Sequence, residues 1–177
     1  MELLGEGTES TKLDILKEKL ADIFVDPDVK VIVFSRFKKM MPLFERELSE
    51  YDPLVISGDV NNIERDSVRN SFQNDPVRRL LVSTDAGGEG LTLNRGDIII
   101  HYDLPYSYGK YDQRNGRIKS FQKTRPLMVY NLVAKKSMDA YLIKMLDRKQ
   151  KDSVESLGDS GLNMADLKSI LTYEVCV

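Results

Sequence analysis

Short β-branched runs recur along this chain with helix-length stretches between them. That alternation limits the folds open to it more than any other feature. Val29–Phe34 (V-K-V-I-V-F), Leu54–Ser57, Leu80–Ser83, Asp97–Tyr102 and Leu127–Val133 (L-M-V-Y-N-L-V) are each four to seven residues long. They are too short for globular helices and mostly apolar without alternation, so they predict strands covered on both faces. In Thr11–Phe24, Leu13, Leu16, Leu20, Ile23 and Phe24 recur at three- and four-residue steps. This predicts an amphipathic helix, capped by Ser10 or Thr11 and stopped at Asp26-Pro27-Asp28. A second helix starts at Pro42, with Leu43, Phe44 and Leu48 on one face. A third is capped by Asn61 or Asn62, buries Val68 and Phe72, and ends at Asn74-Asp75-Pro76. Another runs from Ser137 to about Lys151, and Met164–Leu171 reads as a last short helix. Strands alternating with helices predict an α/β fold: a mostly parallel sheet, helices on both faces, and right-handed crossovers.

Composition sets the outer limits. The 177 residues suffice for one domain with a sizeable core, and 41% hydrophobic with 31% charged residues is the balance of a soluble globular chain. No apolar run approaches the roughly 20 residues of a membrane span, and M-E-L-L-G-E-G-T-E-S is not a secretory leader. The expected layout is a linker over 1–10, the α/β domain over 11–151 and a C-terminal helical tail over 152–177. One cysteine (Cys176) and one histidine (His101) cannot build a zinc site without several carboxylates, so no metal ligands are assigned. The near-absence of cysteine suits a reducing compartment, cytoplasmic or nucleoid/nuclear. A net charge of −2 argues against a polybasic tail as the grip on nucleic acid.

The chemistry is expected at the carboxyl ends of the strands, where open α/β sheets bind ligands. Four such ends are polar or glycine-rich: Ser35-Arg36, Ser57-Gly58, Ser83–Gly90 and Asp103–Tyr106. Gly87-Gly88-Glu89-Gly90 offers bare backbone N–H groups to an anion such as phosphate. The plain alternative is a tight strand-to-helix connection. A G-x-x-x-x-G-K-[ST] loop is missing, as is an acidic pair to hold magnesium, so this stretch of sequence does not hydrolyse a nucleotide unaided. The dinucleotide fingerprint G-x-G-x-x-G is missing as well, which disfavours a small-molecule dehydrogenase. Arg114 and Arg117 lie three apart in Q-R-N-G-R and share a face if helical. Two guanidinium forks suit phosphate oxygens; the alternative is a solvated basic face.

Six blocks in order carry a family resemblance. They are V-I-V-F-S-R-F, I-S-G-D-V-N-N-I-E-R-D-S-V-R-N-S-F-Q-N-D, L-L-V-S-T-D-A-G-G-E-G-L-T-L-N, I-I-H-Y-D-L-P, D-Q-R-N-G-R-I and V-Y-N-L-V. Together, over about residues 10 to 150, they resemble the second RecA-like domain of superfamily-two helicases. They are most similar to the Swi/Snf-like DNA translocases, including bacterial and phage members. The resemblance implies a RecA-like three-layer fold and the C-terminal motor half of an ATP-dependent translocase. ATP and Mg2+ would be bound mainly by an N-terminal RecA-like domain of the same protein. Double-stranded DNA is the implied track, with RNA left open, and no membrane is involved.

The resemblance also implies roles. Ser35 and Arg36 (motif IV), Ser57 and Gly58 with Arg65, and Thr84, Gly87 and Gly88 (motif V) would lie along nucleic acid. Gly90, Gln113, Gly116 and Arg117 would face the nucleotide, with Arg117, Gln113 and Arg114 as the catalytic group of motif VI. Arginines that reach across a cleft stabilise charge developing on a transferred phosphoryl group. The sequence departs from the family in three places. The second motif VI arginine falls on Ser120, with Lys119 beside it. The usual Trp-Asn is Tyr106-Ser107. Thr92 stands where an Asn is usual, Asn94 coming two residues later. These departures support an alternative, a catalytically degenerate docking module for nucleic acid or protein. His101 reads as a satisfied core or edge histidine; Tyr106, Tyr108 and Tyr111 are packing residues or base-stacking ones.

Overall fold

A computed structural model describes residues 11–88, 90–118, 127–134, 137–156 and 170–176. The elements in order are α1 (Thr11–Ile23), β1 (Val31–Ser35), α2 (Met40–Glu47), a 3-10 turn (Ser49–Tyr51), β2 (Leu54–Ile56), α3 (Asn62–Asn74), β3 (Leu80–Thr84), α4 (Asp85–Gly88), β4 (Ile98–His101), α5 (Tyr108–Gly116), β5 (Leu127–Val133), α6 (Met138–Ser156) and β6 (Ile170–Cys176). Six strands form one sheet in the order β2-β3-β1-β4-β5-β6, every neighbouring pair parallel. The five expected strands are all present, and the layered α/β arrangement is the RecA-like one.

Alternation along the strands explains the layers. Val31, Val33, Leu80, Val82, Ile98 and Ile100 pack with Leu13, Leu16 and Leu20 of α1 and Met41 and Phe44 of α2. Ile32, Phe34, Leu81, Ile99, Val129 and Val133 pack on the opposite face with Phe72 of α3, Tyr111 of α5 and Leu142, Ile143 and Leu146 of α6. Strands buried on both faces need continuous apolar runs, which is what the sequence supplies. The split follows from handedness: the chain moves one way along the sheet through α2 and the other way through α3, α5 and α6.

Caps were readable in part. Asn61 caps α3 by accepting from Glu64 N at 2.9 Å. Ser107 caps α5 by accepting from Lys110 N at 3.3 Å. At the amino-terminal edge, Lys30 is 2% exposed and donates from Nζ to the carbonyls of Phe72 (2.5 Å), Asp75 (2.6 Å) and Arg78 (3.2 Å). It thereby satisfies orphan carbonyls at the end of α3. Burial lowers its pKa, helped by Arg95 and opposed by Asp75 and Asp97.

The expected helical tail over 152–177 is corrected. α6 covers 152–156 of that span, and Ile170–Cys176 is a strand paired with β5 from Leu127↔Ile170 to Val133↔Cys176. Most of the expected helix at Met164–Leu171 lies outside the described residues; at Ile170 and Leu171 the chain is already extended. Ile-Leu-Thr-Tyr-Glu-Val-Cys is rich in β-branched and aromatic residues, and its strand preference outweighs the short helical pattern before it.

Candidate nucleic-acid and nucleotide interface

The site is built on one transverse row of the sheet. Register places Ser83 of β3 beside Phe34 of β1, Phe34 beside His101 of β4, and His101 beside Asn131 of β5. The row lies near the carboxyl ends of four strands, on the face that carries α5. Three of its four side chains are polar and all four are 0% exposed. Buried polar groups need partners, and these find them in α4 and α5 or next to them.

His101 takes two residues of α5. Its Nε2 lies 3.0 Å from Asn115 Oδ1 and its Nδ1 lies 3.1 Å from Arg114 Nη1. Arginine can only donate, so Nδ1 accepts and the Nε2–H donates to Asn115. Burial, and second the Arg114 charge, push the imidazole down to about 3 against the pull of the Asn115 bond. The neutral ring is therefore a connector and not a proton shuttle. It packs against Tyr111 at 4.7 Å and Phe34 at 6.1 Å between centroids. Asn131 completes the row, exchanging hydrogen bonds with the Tyr111 hydroxyl at 3.0 and 3.3 Å.

Arg114 is 2% exposed. Its Nε donates to Asp85 Oδ1 at 2.5 Å, its Nη1 to the Asp103 carbonyl at 2.8 Å, and its guanidinium lies 5.4 Å from the Phe34 ring centre. A catalytic placement facing a nucleotide is thus corrected to an internal one: three of its contacts are used inside the domain. The signal was present in the sequence. Tyr111, Arg114, Asn115 and Ile118 recur at i, i+3, i+4, i+7, a core stripe, and all four are buried. Gln113 and Gly116 lie on the exposed side of the same helix. Arg117 follows at the helix end, 8% exposed.

The Gly-rich turn is a short helix, α4, whose cap is Thr84: its Oγ1 accepts from Gly87 N at 3.1 Å. A Cβ on Gly87 would lie 2.5 Å from Ile56 O, so this glycine is required by close approach to β2. A Cβ on Gly88 would meet Ser83 Oγ at 3.0 Å and Arg117 Nε at 3.5 Å. The turn and Arg117 are therefore neighbours. Gly58 abuts Ala86, with 2.9 Å between its virtual Cβ and the alanine Cβ, and Ser57 is half-buried beside it. Gly90 is exposed with φ +76, a left-handed value that favours glycine. Glu89, Lys119 and Ser120 lie outside the described residues.

At the end of β1, Ser35 is 0% exposed; its hydroxyl donates to Asp103 Oδ2 at 2.5 Å and accepts from Phe37 N at 3.2 Å. As a direct phosphate contact Ser35 is corrected: it ties β1 to the segment after β4. Arg36, next along the chain, is half-buried. Its guanidinium lies 3.9 Å from the Tyr106 ring centre and 5.0 Å from that of Phe37, and Nε and Nη1 are unpartnered among the described residues. Lys38 pairs with Asp59 across the loops after β1 and β2. Asp85, Asp103, Asn115, Asn131 and the bridging role of His101 were not assigned from sequence.

The profile of the helicase conserved C-terminal domain matches residues 11–122. The chain belongs to that family. Among relatives of this helicase domain, the chromatin-remodeling ATPase INO80 of Saccharomyces cerevisiae is 30% identical over 172 residues, 95% of this chain and 11% of that protein. The lymphoid-specific helicase of Homo sapiens is 30% identical over 148 residues, 77% of this chain and 17% of that protein. An uncharacterized ATP-dependent helicase, YqhH of Bacillus subtilis, is 26% identical over 156 residues, 82% of this chain and 28% of that protein. The helicase domain here thus spans less than a third of each of these relatives. The C-terminal part of the Fun30 ATPase domain superposes with a TM-score of 0.72 at 25% identity, covering 82% of this chain and 48% of that one. The Sulfolobus solfataricus SWI2/SNF2 ATPase core shares the fold, with a TM-score of 0.64 at 23% identity over 94% of this chain and 37% of that one. No helix among the described residues of this helicase domain is long and apolar enough to cross a membrane.

Proposed function

We propose that this chain is the C-terminal motor half of an ATP-dependent nucleic-acid translocase. It presents Arg117 and the Gln113–Gly116 face of α5 to a nucleotide held by an N-terminal RecA-like domain. The observation that carries the reading is contact between two half-sites: Gly88 of the turn lies against Arg117, with a virtual Cβ 3.5 Å from Nε. Gln113 and Gly116 are free on the surface to meet a second domain, while Tyr111 and Asn115 hold the helix to the sheet. Arg117 would offset charge on the transferred phosphoryl group, as a fork donor does at a developing anion.

Among the described residues, no three His, Cys, Asp or Glu side chains are grouped to hold a metal ion. Mg2+ would be held mainly by the N-terminal domain, as the family resemblance implies, where it would neutralise phosphate charge. The nucleic-acid track is assigned to the loops after β1, β2 and β3, with Arg36 and Gly58 along it. Duplex DNA is the favoured occupant. The related Sulfolobus core is a complex with dsDNA, and the INO80 relative is a chromatin-remodeling ATPase.

The test uses the protein with its N-terminal RecA-like domain in place. Nucleic-acid-stimulated ATP hydrolysis is expected, and Arg117→Ala lowers it at least about tenfold, or about 1.4 kcal/mol of barrier. Equal hydrolysis by the variant removes Arg117 from the nucleotide site. Binding of duplex without any nucleotide dependence supports the docking-module reading instead.

A further inference from the structure

Residues 91–97 contain no helix or strand, yet they support the end of α5. Leu93 is 0% exposed, and its N–H donates to the Arg117 carbonyl at 2.8 Å. Gly96 is buried against the residue after Arg117: a Cβ there would lie 3.0 Å from Ile118 Cγ2 and 2.8 Å from Ile32 Cδ1. Gly96 N donates to Leu93 O at 2.9 Å and closes a turn. One side chain of α3 clamps that turn from outside. Gln73 donates from Nε2 to the Thr92 carbonyl at 3.2 Å and accepts at Oε1 from Arg95 N at 3.0 Å. A primary amide suits the task, since it carries a donor and an acceptor side by side and takes a C=O and an N–H of one turn at once. α3 is a fixed mount for it. Phe72, next to Gln73, is 0% exposed, and its carbonyl and that of Asp75 are held by Lys30 Nζ.

Both Gln73 bonds lie at the surface, where water can replace a lost partner, so they add little to global stability. Their value is in geometry. A misplacement of roughly 1 Å in a reacting site can cost about 100-fold in rate. We propose, on the functional reading above, that Gln73 is a positioning residue for Arg117: its amide fixes the turn 92–95, and the turn fixes the Arg117 carbonyl through Leu93. Gln73 itself touches neither nucleotide nor nucleic acid. Its effect falls on the hydrolysis step, with or without duplex.

The protein with its N-terminal RecA-like domain in place is compared with Gln73→Ala, Gln73→Glu, Arg117→Ala and each Gln73 change combined with Arg117→Ala. kcat and KM for ATP are read with and without duplex, together with duplex Kd. Gln73→Ala is expected to lower kcat at least fivefold in both conditions, while KM and duplex Kd move less than threefold. Gln73→Glu keeps the acceptor for Arg95 N but loses the donor to Thr92, and should fall between the parent and Gln73→Ala. The double variants decide the route. Once Arg117 is gone its placement no longer matters, so their kcat should match that of Arg117→Ala within twofold. A kcat within twofold of the parent in folded Gln73→Ala overturns the inference. So do losses that multiply in the double variant, a loss carried by KM or duplex Kd, and a loss confined to the duplex-stimulated reaction. Should Gln73→Ala not fold, Gln73→Glu and its double variant decide by the same readings. If Arg117→Ala hydrolyses ATP as the parent does, the functional reading falls and this inference with it. If Arg117→Ala is impaired and the Gln73 variants are not, only this inference falls.

Discussion

The two edges of the sheet solve the same problem differently. At the amino-terminal edge, polar side chains end on backbone. Lys30 serves three carbonyls, its own N–H donates to Asp97, and Arg79 donates to the Asp26 carbonyl while stacking on Phe24 at 4.5 Å. At the carboxyl edge, side chains end largely on side chains: Ser35 on Asp103, His101 on Asn115 and Arg114, Arg114 on Asp85, Tyr111 on Asn131. Donors there are also left over, at Arg36 Nε and Nη1 and Arg114 Nη2, among the described residues. Backbone acceptors cannot move without opening secondary structure, whereas side-chain partners can rearrange together. One edge is locked onto the backbone, and the other is held by side chains that can shift together.

Lys30→Met tests the closed edge most severely. It strips three carbonyls of their donor, and a cost of about 3 kcal/mol in chemical denaturation is expected. Duplex affinity of the folded variant should not change; a loss of affinity there would blur the distinction between the edges. The next largest effect is in pH. His101 titrates at about 3 in the fold and near 6.5 when unfolded. Between those values the unfolded chain binds the extra proton, so stability is full above about pH 6.5 and falls as the pH drops towards 3. The slope approaches about 1.4 kcal/mol per unit, so roughly 2 kcal/mol is lost between pH 6.5 and 5. Denaturation at several pH values should show this slope reduced in His101→Gln, and an unchanged slope assigns the proton elsewhere. The smallest expected effect on stability is Arg36→Ala, about 0.5–1 kcal/mol from the lost stacking on Tyr106. Its signature is instead in binding: duplex affinity weakens, and the slope of log K against log salt loses about one unit. An unaltered salt slope takes Arg36 off the nucleic-acid track.

The sequence made the sheet legible because each strand of the site is a β-branched run bounded by turn residues. α5 was less visible. Gly109 and Gly116 sit within it, and its core stripe is half polar, with Arg114 and Asn115 between Tyr111 and Ile118. The same disguise misdirected the reading of Arg114. Residue type and spacing announced a phosphate ligand, but its actual partner, Asp85, lies 29 positions away. Only the fold brings them together. Ser35 misled for a similar reason: a hydroxyl at a strand end looks available until Asp103 is seen to occupy it. Gly87 illustrates the opposite case. Its glycine-rich context marks it in the sequence as a special position, and the fold adds a reason the sequence does not show: the backbone of β2 presses on it.

The row Ser83–Phe34–His101–Asn131 has a consequence for recombining such domains. α5 looks portable, a nine-residue helix that could be moved into another RecA-like sheet. Its seat, however, is contributed by four separate strands. A chimera that carries α5 alone would set Arg114 and Asn115 over whatever side chains the recipient happens to place there. The exchangeable part is the helix together with its four-residue seat, and swaps that respect that boundary should keep these buried contacts where swaps of the helix alone lose them.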